Sequence, residues 1–233
     1  MNKKILIYGK HACLAVINNP KRKLGQIYIT KETLAELSDI KGYKLCTRQE
    51  IEKIIGKVDP THQGIAIEVD PLARQPISAV DTNSKIILAL DQINDPHNVG
   101  AICRSAAAFG VEYIITTKDN GFSESAALLK AASGTYEMVN FIETANLNNA
   151  FEKLKKEGYW IIGLDGYAKD YIATAKQFDK VVIVLGSEGD GLRRLTKENC
   201  DLLVKISISS KVESLNVSNA TAITLYELAK NIQ

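Results

Sequence analysis

The sequence predicts an α/β protein in two parts: a small α/β domain at residues 1–70 and a larger α/β domain at residues 85–233 built on a parallel sheet. Three observations carry this. Short apolar stretches alternate with amphipathic ones along the 233 residues, the pattern of repeated strand–helix units. KIILALDQI at 85–93 is an almost unbroken apolar run, as expected of a strand buried on both faces of a parallel sheet. Residues 71–84, PLARQPISAVDTNS, hold two of the five prolines and few large apolar side chains, so they read as a linker.

The first part opens with ILIYGKHACLAVINN (5–19), a short apolar piece followed by a helix that Asn18-Asn19-Pro20 stops, because proline cannot continue a helix. Lys21-Arg22-Lys23 lies on the following loop, either as a solvated turn or as a phosphate contact. Strands are expected at 26–30, 43–47 and 62–70, and helices at 31–40 and 48–56, the latter ending on Gly56.

In the second part, Asn94-Asp95-Pro96-His97 breaks the strand of 85–93. Asn98 stands where a helix cap belongs, Val99 to Phe109 has helical spacing, and Gly110 supplies the stop. VEYIITT (111–117) then completes a βαβ unit. The helix is crowded with small residues, which suits close packing on a sheet. Arg104 rises from that low-bulk face and either snorkels to solvent or serves function. Helices follow at 123–134, 147–158 and 192–200, and strands at 137–143, 159–165, within 175–186, and at 202–208.

Two stretches carry chemistry. Gly186-Ser187-Glu188-Gly189-Asp190-Gly191 follows a buried strand and precedes a helix. It matches neither GxGxxG nor a Walker loop, and Glu188 and Asp190 would repel phosphates. A phosphate-free adenosine cofactor with cationic groups suits it better, and S-adenosylmethionine is one. Near the C-terminus, a helical pattern from Ser214 places Ser214, Asn216, Ser218 and Asn219 in the first two turns. One such residue caps a helix; the remainder are solvated or meet a ligand together with the free backbone N–H groups.

Composition narrows the remaining classes. No apolar run reaches the roughly 18 residues of a membrane span, and the MNKKILIYGKHA start lacks a signal-peptide core. The four cysteines and three histidines are scattered, so neither a disulfide frame nor a metal site is expected, and the compartment expected is the cytoplasm. Net charge is +2, but residues 1–84 hold 13 Lys/Arg against 9 Asp/Glu, a modest lean toward a polyanion.

Three segments in order, DQINDPHNVGAICRSAAAFG (91–110), VLGSEGDGL (184–192) and SLNVS (214–218), resemble the three signature motifs of the SpoU (TrmH-like) RNA ribose 2′-O-methyltransferases. YGKHA and HQGIA in the first part resemble the small domain, L30e-like in fold, of the branch that methylates guanosine in 23S rRNA. The resemblance implies a SPOUT-type C-terminal domain with a deep trefoil knot, a homodimer with its site near the interface, and methyl transfer from S-adenosylmethionine to a ribose 2′-OH. It implies catalytic work for Arg104, Glu188 and Asn216, with Asn98 and Ser214 shaping the site. Gly186, Ile206, Ile208 and Leu215 match the positions that hold the cofactor. A guanidinium stays protonated, so Arg104 is expected to grip an RNA phosphate and Glu188 to accept the proton. Ser207 stands where the family has proline, and Ser210 where a glycine is expected. The alternatives are a tRNA 2′-O-methyltransferase and a non-catalytic RNA-binding ribosome-assembly factor on the same scaffold.

Overall fold

The computed structural model describes residues 4–37 and 40–229. The first elements in chain order are β1 (Ile5–Tyr8), α1 (Lys10–Asn18), β2 (Leu24–Ile29), α2 (Lys31–Glu36), β3 (Tyr43–Leu45), α3 (Arg48–Ile55) and β4 (Ile65–Val69). After them come β5 (Ile86–Asp91), α4 (Pro96–Ala108), β6 (Tyr113–Thr117), α5 (Ala126–Ala132), β7 (Asn140–Thr144) and α6 (Leu147–Lys156). The chain continues with β8 (Trp160–Leu164), β9 (Asp170–Tyr171), β10 (Val181–Gly186), α7 (Arg194–Asn199), β11 (Leu202–Lys205) and α8 (Val217–Ala229). The helix expected at 31–40 runs over Ser38 and Asp39, which lie outside the described residues, as do Met1–Lys3 and the last four residues of the expected second domain.

Two compact units form, and the first is not contiguous in sequence. It comprises the chain up to Ala73 together with Glu124–Glu137. Its sheet has the order β1-β4-β2-β3, with β4 antiparallel to both neighbours and β2 parallel to β3. Ile7, Ile29, Ile51, Ile65 and Ile67 are essentially inaccessible. Local chemistry sets the helix ends. Thr47 and Glu50 form a reciprocal capping box at the start of α3, and Gly56 ends it at φ +80°.

The segment 124–137 is bonded into this unit through charge. Arg22, whose side chain is inaccessible, pairs at 2.6 Å with Glu124 and at 2.6 Å with Glu137. It also donates to the Asp70 carbonyl at 3.0 Å, while Asn19 donates to Glu137 at 2.6 Å. Burial raises the Glu124 carboxyl above its ordinary range even though Arg22 pulls it down. Gly134, at φ +93°, lies so near α1 that an added Cβ would stand 2.9 Å from that of Ala15. Lys21-Arg22-Lys23 is therefore not a uniformly solvated turn; its central residue is a buried structural ion.

The second unit contains Arg74–Ser123 and the chain from Met138 onward. Its sheet runs β7-β6-β5-β10-β8-β11-β9, parallel at every pairing. All six residues of β5 are buried, which explains why no polar alternation appears there. Most of the stretch read as a linker, from Arg74 onward, is attached to this unit. Gln75 bridges Ile142, accepting from Glu143 N at 2.8 Å and donating to the Phe141 carbonyl at 2.9 Å. The Arg74 guanidinium lies 4.2 Å from the Phe122 ring centroid and 4.8 Å from that of Phe141.

Three boundaries near the motifs differ from expectation. The cap of α4 is Asp95, which accepts from the backbone of His97 at 3.0 Å and Asn98 at 2.8 Å, so Asn98 sits inside the first turn. Pro96 there occupies the one helical turn where its missing N–H costs nothing. Strand β11 ends at Lys205, leaving Ile206 and Ile208 in a loop, and α8 begins at Val217, leaving Ser214 and Leu215 ahead of it. Ser210 is absent from the residues with positive φ, so the loop has taken a shape that a serine can hold.

Candidate active site

The register of the sheet brings the first two motifs together. Asp91, the last residue of β5, pairs with Gly186, the last residue of β10. Beyond Gly186 the chain forms a tight loop closed by Ser187 N to Gly191 O at 3.2 Å and Gly191 N to Ser187 O at 3.0 Å. Gly189 and Gly191 turn it at φ +88° and +66°. Gly186 is required for a different reason: a Cβ there would lie 2.2 Å from the Gly191 carbonyl carbon. Glu188 is carried on this loop, exposed.

The third motif meets it through Asn216. The Asn216 amide oxygen accepts from Ser218 N at 2.9 Å and Ser218 Oγ at 2.6 Å, capping α8. That leaves the amide NH2 free of the helix. It donates to Asn98 Oδ1 at 2.9 Å and to Glu188 Oε1. One residue from each motif is thus joined at a single amide, and both halves of that amide are used.

Glu188 and Asn216 border a cavity of about 610 Å³, and Asn98 stands behind them, bonded to Asn216. Gly186, Ile206, Ile208, Leu215 and Ser214 all line it, with Glu188 and Asn216. Four carboxylates, Asp165, Glu188, Asp190 and Glu213, face two ammonium groups, Lys197 and Lys205. Lys197 is bound to Asp165 at 2.6 Å. Burial pushes Asp165 up, but that lysine and the Tyr167 N–H outweigh it and hold the carboxyl below its usual value. The walls therefore mix apolar and polar groups, with an excess of negative charge. That suits an uncharged, largely apolar body carrying a cationic group, and it disfavours phosphates.

Arg104 is not brought to this cavity. It is exposed on α4, six residues beyond Asn98, about 9 Å along the helix axis. Helix α8 packs against α4 and leaves Ile223 and Tyr226 exposed, 41% and 56%. Among the described residues no group of His, Cys, Asp and Glu is arranged to hold a metal ion, and no helix is long and apolar enough to cross a membrane.

Sequence reasoning missed Asp165, Lys197 and Lys205 in the cavity wall, and it missed Asp91. Asp91 is fully buried and bonded to Arg193. A signal existed for both acids: each is a carboxylate ending an otherwise apolar strand, in IILALD and WIIGLD.

Comparison with known proteins agrees with this geometry. Residues 85–226 match the family model described as the SpoU rRNA Methylase family, and residues 6–75 match that described as RNA 2′-O ribose methyltransferase substrate binding. The 23S rRNA (guanosine-2′-O-)-methyltransferase RlmB of Coxiella burnetii is 37% identical, covering 99% of this chain and 97% of that protein. RlmB of Escherichia coli K12 is 36% identical, covering 97% and 98%. The SpoU methyltransferase AviRb from Streptomyces viridochromogenes, solved in complex with AdoMet, shares the fold at a TM-score of 0.82 and 17% identity, over 98% of this chain and 90% of that one.

Proposed function

The chain belongs to the SpoU family of rRNA methylases, and from that premise we propose that it transfers a methyl group from S-adenosylmethionine to the ribose 2′-OH of a guanosine in 23S rRNA. The observation that carries this is the junction of Asn98, Glu188 and Asn216, the last two of which line a cavity with an excess of acidic groups. Near-full-length similarity to guanosine-specific 23S rRNA enzymes supplies the substrate. The alternatives of a tRNA enzyme and of a non-catalytic assembly factor gain no support of their own.

Bound in the cavity, the cofactor supplies an electrophilic methyl. The protein's own part is to hold it, to align the hydroxyl and to receive the proton. Gly186, Ile206, Ile208 and Leu215 hold the cofactor, with Ser214 shaping the wall. Glu188 receives the hydroxyl proton, and Asn216, anchored by Asn98 and by its cap, fixes where that carboxylate stands. The acidic walls favour the sulfonium and amine.

Arg104 grips an RNA phosphate and stabilises the developing alkoxide. It stands outside the cavity of its own chain, so this role places it at a subunit interface. The exposed Ile223 and Tyr226 of α8, a helix packed against α4, support a homodimer through α4 and α8. The proposal also keeps the knotted chain end, the L30e-like fold of the substrate-selecting first unit and a cytoplasmic setting. Family membership supports the knotted chain end.

The test is methyl transfer from labelled cofactor to 23S rRNA and, separately, to tRNA. Label in 23S rRNA at a guanosine whose 3′ linkage resists alkaline hydrolysis is expected, because a methylated 2′-oxygen cannot attack the phosphate. Label in tRNA alone, or none with cofactor bound, overturns the reading.

A further inference from the structure

We propose that Asp91 and Arg193 are positioning residues for the methyl transfer: they close the neck of the loop that carries Glu188 and so set where its carboxylate stands. This rests on the reading of Glu188 as proton acceptor.

The loop leaves the sheet at Gly186, whose register partner is Asp91. It returns at Arg193, immediately before α7. There the Asp91 carboxylate accepts twice, Oδ2 from the Arg193 backbone N–H at 3.0 Å and Oδ1 from the Arg193 Nε–H at 2.6 Å. One fully buried side chain therefore holds the loop's return, and the strand that bears it is paired with the loop's departure. No slack exists at this neck, because even a Cβ on Gly186 would collide with Gly191.

Between departure and return lie six residues, 187–192, closed internally by the Ser187–Gly191 pair. Among the described residues, the side-chain bond that reaches Glu188 comes from Asn216. Stability alone does not account for the pair. The Arg193 side chain is half-exposed, so the pair adds little stability, whereas its two bonds fix the returning chain in distance and direction. The Asp91 carboxylate is bonded on both oxygens to one residue, so it specifies the orientation as well as the distance of the returning chain. Misplacing a reacting group by about 1 Å costs on the order of 100-fold in rate, which is the effect such a device prevents.

The experiment is a double-mutant cycle on full-length protein. Asp91→Asn keeps the shape but opposes an amide N–H to one of the two Arg193 donors. It should lower kcat by about 100-fold while leaving the KM for 23S rRNA unchanged. In a Glu188→Gln background the same change should cost little, because the group being aimed is already gone. Arg193→Lys, at a half-exposed side chain, keeps the charge and loses the fixed Nε–H. It should repeat the pattern in smaller measure, and it decides the matter if Asp91→Asn does not fold. Equal losses in both backgrounds would make the pair merely structural, and full activity of both variants would also overturn the proposal. A fully active Glu188→Gln protein would instead remove the reading beneath it, a result distinct from either.

Discussion

Asn216 donates through its amide nitrogen to Asn98 Oδ1 at 2.9 Å, across 118 residues of sequence. Its oxygen meanwhile caps α8, so the two ends of one side chain serve separate purposes that substitution can divide. Asn216→Asp keeps the capping oxygen and places a second carboxylate against Glu188. Methyl transfer should fall by about 100-fold or more, as when one preorganised donor is lost, with the melting temperature nearly unchanged. Asn216→Ala should lose the activity and also about 1 kcal/mol of stability from the missing cap. Rate assays with thermal unfolding of both variants check this; matching losses of stability would refute the division.

Gly186→Ala should prevent cofactor binding. The methyl would need space already held by the Gly191 backbone, 2.2 Å away, and backbone cannot swing aside as a side chain does. Calorimetric titration with S-adenosylhomocysteine should show binding lost in a folded protein. Unaltered affinity would show that the loop relaxes freely.

Arg22→Ala should destabilise the first unit by about 3–5 kcal/mol, because it leaves Glu124 and Glu137 buried without their cation. Arg22→Met with Glu124→Gln and Glu137→Gln should recover much of the loss by removing the stranded charges. Urea denaturation followed by a probe in the first unit measures both.

Stability of the first unit should fall as pH drops below the ordinary imidazole range. His62 is 1% exposed, and its Nδ1 accepts from Gly64 N at 2.9 Å. Burial lowers its folded pKa. The unfolded chain then binds the proton first, so the contribution is complete above the unfolded pKa and is lost as pH falls toward the folded one. Denaturation midpoints from about pH 8 to about pH 5 should show this slope, and His62→Asn, which keeps an acceptor without the titration, should flatten it.

The fold class was legible because burial on both faces leaves its mark in composition: β10 is an apolar run, and β5 is one up to its last residue, Asp91. The alternation of strands with helices likewise survives as two periodicities. What was not legible turned on which of several equivalent polar residues wins a position. Asp95 and Asn98 both suit a cap, and the choice was settled by Pro96, which can begin a helix as readily as it can break one. Ser214 and Asn216 both suit the start of α8, and only the structure shows Asn216 in that place. The cavity-lining motif residues were legible through the family resemblance, since Gly186, Glu188 and Asn216 lie in its second and third motifs. The exposed station of Arg104 was not, because small neighbours describe a helix face equally well whether it meets sheet, solvent or another subunit.

The two-segment make-up of the first unit bears on the order in which the nascent chain acquires structure. Synthesis proceeds from the N-terminus, and a contiguous leading domain completes itself while the rest is still being made. Here the cation at Arg22 is translated about a hundred residues before its partners Glu124 and Glu137. Until these emerge, a guanidinium destined for a sealed interior has no counter-ion, and the surfaces of α1 and β1 that receive α5 stay open. Ribosome-stalled chains ending near residue 80 should therefore be sensitive to protease, and chains long enough to expose residue 137 should resist it. Excising residues 1–80 for separate expression would likewise strip α5 of its packing surface, because the first unit draws on two separate segments of the sequence.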